Sequence, residues 1–233
     1  MKKEKIIIHG VSVILWGEKS SRVAIVTHGS QSHKEDRFIQ ACANNLCNRG
    51  FQIISFDLPE HGERRNTTPI HTINQVMVEM KIIMHFAIEH YSSIYLIGCS
   101  LGAYYTLLAY QSNSIEQCAL LSPVVDLIEL TLEMLENDNR TINDVIENNQ
   151  IILSNGIIVR LEDYQYLIEH KIKEIQFPIS ILYGQKDKLI RFESIQKFVR
   201  SYDCECIVSK KSEHHFHTIE DMYEIDQWLN RIK

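Results

Sequence analysis

The chain has 233 residues, 45% hydrophobic and 23% charged, which excludes a disordered segment, a collagen-like fibre and a multi-span membrane protein. Its formal net charge of −6 argues against a nucleic acid or an anionic membrane as the main partner. Six cysteines (Cys42, Cys47, Cys99, Cys118, Cys204 and Cys206) form no C-x-x-C pair and no stapled framework. Reduced, mostly buried thiols in a cytoplasmic protein are expected.

The N-terminal MKKEK followed by IIIHGVSVILW imitates a signal peptide. His9, Gly10 and Ser12 break the apolar run, however, and no small-residue cleavage site follows. A β-hairpin at an antiparallel sheet edge is the expectation. No apolar stretch reaches the roughly 20 residues that a membrane span requires.

Short apolar runs then alternate with segments of helical period. Strands are predicted at Arg22–Thr27, Phe51–Phe56, Ile94–Ile97, Ile115–Leu121, Ile179–Tyr183 and Cys204–Val208. Helices are predicted at about Glu35–Arg49, Thr72–His90, Leu101–Tyr110, Phe192–Ser201 and Glu220–Arg231. Strands this short and this apolar suit burial on both faces, so the fold class is α/β, a mostly parallel sheet with helices on both sides.

The alternation fails at 126–174, which is helix-like, strand-poor and Asn-rich around Asn137–Gln150. Residues 1–125 and 175–233 then form the core, interrupted by an insertion of one or two small helices. The insertion holds eleven Asp/Glu against four Lys/Arg. A solvated helical face and a lid over an active site both fit that composition.

Gly98-Cys99-Ser100-Leu101-Gly102 is the strongest local signal. It follows a strand-like run and opens a helix-like one, which puts Ser100 on a tight strand-to-helix turn. The glycines avoid collision with the neighbouring strand and helix, and the helix N-terminus favours negative charge near Ser100. Cys99 inside the motif is a packing choice; a capped β–α turn without chemistry is the plain alternative. Serine needs a base held by an acid to act as a nucleophile. Asp187, in YGQKDKLI, and His214, in SEHHFHT, each follow a different predicted strand, in the order Ser, Asp, His. Singly, a turn aspartate and a surface histidine cluster would be ordinary.

These motifs together resemble the α/β-hydrolases over nearly the whole chain. Thr27–Ser30 (THGS) is similar to the family's His-Gly turn, and Phe56–Arg64 (FDLPEHGER) to its D-x-x-G-H-G loop, with Glu60 where Gly is usual. The resemblance implies Ser100 as nucleophile, Asp187 as acid and His214 as base, with the backbone N–H groups of Ser30 and Leu101 as the oxyanion hole. His215 or His217 is the alternative base and Asp126 the alternative acid. It also implies that 126–174 is a cap shaping the substrate pocket. Leu127, Ile128, Leu130, Leu132, Met134 and Leu135 are candidates for an apolar wall, Leu130 and Met134 foremost.

The expected function is hydrolysis of a small-molecule carboxylic ester through an acyl-enzyme, with no metal or organic cofactor. A thioesterase or amidase would use the same machinery. A non-catalytic binding protein on the same fold is the alternative from another class. The physiological substrate and the oligomeric state are not legible in the sequence.

Overall fold

The computed structural model describes residues 1–65 and 72–233. The chain opens with an antiparallel hairpin of β1 (Lys3–Ile8) and β2 (Val11–Trp16). His9 and Gly10 turn it with φ of 44° and 90°, the left-handed pair that matches the twist of a two-residue hairpin. The expected edge hairpin is therefore present.

Next come β3 (Arg22–Thr27), α1 (Arg37–Cys47), β4 (Gln52–Phe56), α2 (Ile73–His90), β5 (Ser93–Cys99), α3 (Leu101–Tyr110) and β6 (Gln117–Leu121). After the segment 126–174 the chain resumes with β9 (Ile179–Gly184), α7 (Phe192–Tyr202), β10 (Glu205–Ser209) and α8 (Ile219–Leu229). Among the described residues the main sheet has eight strands in the order β1-β2-β4-β3-β5-β6-β9-β10. β2 meets β4 antiparallel, and every pairing from β4 to β10 is parallel.

Burial on both faces explains why the strands carry unbroken apolar runs. Val23 and Ile25 of β3 join a core completed by α2, α3 and α7, through residues such as Met80, Leu107 and Phe198. Ala24 and Val26 point the other way, onto Phe38 and Leu46 of α1 and Ile225 and Trp228 of α8. The buried indole N–H groups of Trp16 and Trp228 each find a serine, donating to Ser55 Oγ (2.8 Å) and Ser180 Oγ (3.0 Å). The six cysteines are free thiols. Among the described residues no helix is long and apolar enough to cross a membrane.

The segment between β6 and β9 is richer than its sequence suggests. It contains α4 (Leu127–Asn137), α5 (Ile142–Asn148) and α6 (Leu161–Glu169), and also a hairpin of β7 (Gln150–Ile152) and β8 (Ile158–Arg160). One or two helices were expected. The strands are three residues each, too short for a period to show, although the Asn155-Gly156 turn between them was a legible hairpin signal. Leu135, Val145, Leu153 and Val159 give the segment a small core of its own.

Candidate active site

The residues singled out by motif converge at the C-terminal ends of the parallel strands, where α/β sheets place their ligands. Ser100 bridges β5 and α3 with φ 51° and ψ −119°, a conformation costly to any residue but glycine. Close packing holds it there. A Cβ on Gly98 would lie 2.6 Å from Ala103 Cα, and one on Gly102 would lie 2.7 Å from the Thr27 carbonyl oxygen. Only glycine lets helix and strand approach this closely at the turn.

Asp187 follows β9. Its Oδ1 accepts from the backbone N–H groups of Leu189 (2.8 Å) and Ile190 (2.9 Å), which leaves Oδ2 for His214 Nδ1 at 2.7 Å. His214, in the loop after β10, places its Nε2 2.9 Å from Ser100 Oγ. An ionised carboxylate only accepts, so Nδ1 carries the proton and Nε2 accepts from the serine hydroxyl. Ser100, His214 and Asp187 thus form one hydrogen-bonded chain across three loops.

The other candidates take no part in that chain, although His215 and His217 line the same cavity as Ser100. His215 and His217 are exposed, His215 edge-on to the His214 ring at 5.1 Å, while the His217 carbonyl accepts from Arg37 Nη1. Asp126 caps α4, its Oδ1 accepting from Glu129 N at 2.9 Å.

The loops carrying the acid and the base are tied together at Ser212. Its carbonyl accepts from Lys186 N (3.0 Å), and its hydroxyl pairs with Ser209 Oγ (2.5 Å) and donates to Asp221. Asp221 sits in the first turn of α8, where Thr218 N donates to it at 2.8 Å. Burial opposes its ionisation, but the hydrogen bonds from Ser212 and Thr218 hold its carboxyl below the usual range. No sequence motif pointed to Ser212, and the Thr218-x-x-Asp221 capping box marks Asp221 only as a helix-start residue.

A second lock holds the THGS loop. Lys34 is 2% exposed and gives both its backbone N–H (2.8 Å) and its ammonium (2.6 Å) to Asp57, in the loop after β4. Glu63 approaches the same ammonium at 3.0 Å. Burial disfavours the charge, yet the Asp57 and Glu63 contacts keep Lys34 above its ordinary pKa. His28 beside it accepts from Leu58 N through Nε2 (3.0 Å) and contacts the Gly29 carbonyl through Nδ1. Burial pushes His28 down to about 4, so it stands neutral with the proton on Nδ1.

Above Ser100 lies a cavity of about 1180 Å³, lined by the core loops and by the 126–174 segment. Leu127, Leu130, Thr131 and Met134 of α4 face it at helical spacing. Leu130 and Met134 are thus among the residues that line the cavity. Ile128 packs on the main core, Leu132 is exposed and Leu135 belongs to the segment's own core, so these three are not cavity wall. The acidic residues of the segment do not gather at the cavity; Asp163 is the one that lines it among the described residues. Tyr105 and Arg160, which no motif identified, also line it. Among the described residues no cluster of His, Cys, Asp and Glu is arranged to hold a metal ion.

Residues 57–229 match one protein family, the uncharacterised protein family UPF0227. The chain belongs to that family. No curated protein sequence matches it. Among solved structures, Est1E from Butyrivibrio proteoclasticus superposes with a TM-score of 0.79 at 17% identity, over 98% of this chain and 96% of that one. The mouse alpha/beta hydrolase domain-containing protein 10 gives 0.77 at 14% identity, over 99% and 97%. The thioesterase domain from the curacin biosynthetic pathway gives 0.65 at 16% identity, over 99% of each. This UPF0227 member thus has the α/β-hydrolase fold, as its sequence motifs implied.

Proposed function

We propose that this UPF0227 chain is a serine hydrolase that cleaves carboxylic esters through a Ser100–His214–Asp187 triad. One observation carries the proposal: the hydrogen-bonded chain from Ser100 Oγ to Asp187 ends at the floor of the cavity. Ser100 Oγ attacks the ester carbonyl, its proton passes to His214 Nε2, and the carbonyl electron pair moves onto oxygen. Asp187 holds the imidazole in the productive tautomer and steadies the imidazolium. Collapse of the intermediate expels the alcohol, which takes the proton from Nε2; a water deprotonated by the same nitrogen then attacks the acyl carbon, and the acid leaves as Ser100 Oγ takes that proton back.

The oxyanion hole in this mechanism is the backbone N–H of Leu101 with that of Ser30. Leu101 is the first residue of α3, so its N–H has no acceptor within the helix and lies at the positive end of the dipole. Ser30 lines the cavity on the loop held by the Lys34–Asp57 lock. Each such donor is worth about 3–4 kcal/mol to an acyl-transfer transition state.

Leu127, Leu130 and Met134 take the apolar part of the substrate. The segment 126–174 serves as the cap, and six free thiols suit a reducing compartment such as the cytoplasm. Est1E is a protein with ferulic acid bound in one structure, which is in keeping with an ester of modest size. Thioesters and amides remain within reach of the same groups.

A serine-directed phosphonate tests the proposal. Stoichiometric labelling that disappears in Ser100→Ala is the expected result. Failure to label purified protein, or labelling indifferent to Ser100→Ala, would leave a non-catalytic binding protein as the better account. Parallel assays on model esters, thioesters and aryl amides identify the bond cleaved.

A further inference from the structure

Glu60 occupies the position that is glycine in the loop motif it resembles, and it has the backbone of a glycine, with φ 62°. A non-glycine residue in that region is held against its preference. Its carboxylate is held by the 126–174 segment. Arg160, at the end of β8, gives Nη2 to Glu60 Oε1 at 2.9 Å and Nη1 to Glu60 Oε2 at 3.4 Å. Two ion pairs join the 126–174 segment to the core among the described residues, Arg160–Glu60 and Arg191–Glu133. In the first alone do both side chains line the cavity.

The guanidinium has little else to hold it. Its side chain is 11% exposed, Asp163 Oδ2 is 3.7 Å away, and its Nε is buried without a hydrogen-bond partner. Asp163 is itself fixed to the core, accepting from Ile73 N at 2.7 Å. Without Glu60, Arg160 would be a nearly buried cation with one distant partner, which favours its escape to water. Since Arg160 ends β8 and precedes α6 directly, its escape would draw that wall of the cavity outward.

We infer that the Glu60–Arg160 bridge is a specificity determinant: it clamps the 126–174 segment onto the loop after β4 and so limits the bulk of the ester that reaches Ser100. The inference rests on the hydrolase reading above. It explains in physical terms why a strained glutamate is kept where glycine would fit without strain. The bridge spans the cavity wall, so losing it enlarges the cavity and leaves the catalytic groups in place.

The test compares 4-nitrophenyl acetate, butyrate and octanoate on wild type, Glu60→Gly, Arg160→Gln and the double variant. Glu60→Gly relieves strain and is suited to fold. Each single variant should raise the octanoate-to-acetate ratio of kcat/KM by about fivefold, the scale of one part-buried ion pair, and the double variant should add nothing further. Hydrogen exchange over residues 158–169 should quicken in the same three variants. A ratio within twofold of wild type in all three, with Ser100 still labelled by phosphonate, would overturn the clamp and leave the hydrolase intact. Turnover that survives Ser100→Ala would instead overturn the hydrolase reading on which the clamp rests.

Discussion

Gly184 and Ser212 press together so closely that a Cβ on Gly184 would lie 2.5 Å from the Ser212 carbonyl oxygen. Gly184 ends the strand before Asp187, and Ser212 precedes His214 by two residues, so this contact sets the separation of acid and base. Gly184→Ala must push the two loops apart. We expect a loss of about 1–3 kcal/mol of stability from overpacking and a fall in turnover of roughly a hundredfold from misalignment. Urea unfolding and the rate of phosphonate labelling measure the two effects separately.

Substitution of the three histidines separates the base from its neighbours. His214→Ala should lower ester kcat by about 10⁴-fold or more, because it removes the proton acceptor. His215→Ala and His217→Ala should stay within about tenfold of wild type, since both rings are exposed and neither joins Ser100 to Asp187. Near-normal turnover in His214→Ala would assign the base elsewhere.

The buried lock beneath the THGS loop gives a stability prediction. Asp57→Asn leaves the Lys34 ammonium 2% exposed with Glu63 as its remaining carboxylate. Removing one partner of a buried pair costs about 3–5 kcal/mol, so the melting temperature should fall steeply. Lys34→Met with Asp57→Leu should recover part of that loss, because no lone charge is left inside.

His28 predicts an acid-side loss of stability. Burial lowers it from 6.5 to about 4, so between these values the unfolded chain binds more protons than the native one. Its contribution is therefore complete above pH 6.5 and is lost as the pH falls toward 4, by up to about 3 kcal/mol. Urea unfolding between pH 7 and 4.5 should show a shallower loss in His28→Gln than in wild type. Equal slopes would mean that His28 titrates normally.

On α4, neighbouring leucines should differ. Leu130→Trp narrows the cavity and should depress octanoate kcat/KM by about tenfold relative to acetate, one buried-contact's worth of binding. Leu132→Trp lies on the exposed face and should leave the ratio unchanged. An acyl-chain series on the two variants decides whether this helix meets substrate.

Much of the fold was legible because each core element declares itself locally. An apolar run such as Arg22–Thr27 has no polar face to give water, so it must be a strand covered on both sides, and the structure places it in mid-sheet. The glycines of Gly98–Gly102 mark the strand–turn–helix from local sequence alone. The β7 and β8 strands were not legible by period, since three residues cannot establish a period of two; only the Asn155-Gly156 turn between them signals a hairpin. Nor was Ser212, which acts through hydrogen bonds that no spacing rule encodes; Asp221 was legible as the third residue of a Thr218 capping box, but not as a partner of Ser212.

Local sequence carries the succession of the core strands and helices, the turn that exposes Ser100, and the positions of one acid and a cluster of histidines after later strands. Those properties depend on residues close along the chain. The tertiary structure decided which histidine meets Ser100, 114 residues away, and that Glu60 reaches Arg160 across 100 residues. It also decided that α4 turns Leu130 and Met134, but not Leu132, toward the cavity. Hydrogen bonds hold over about 3 Å, and only the packed sheet brings such distant loops within that range.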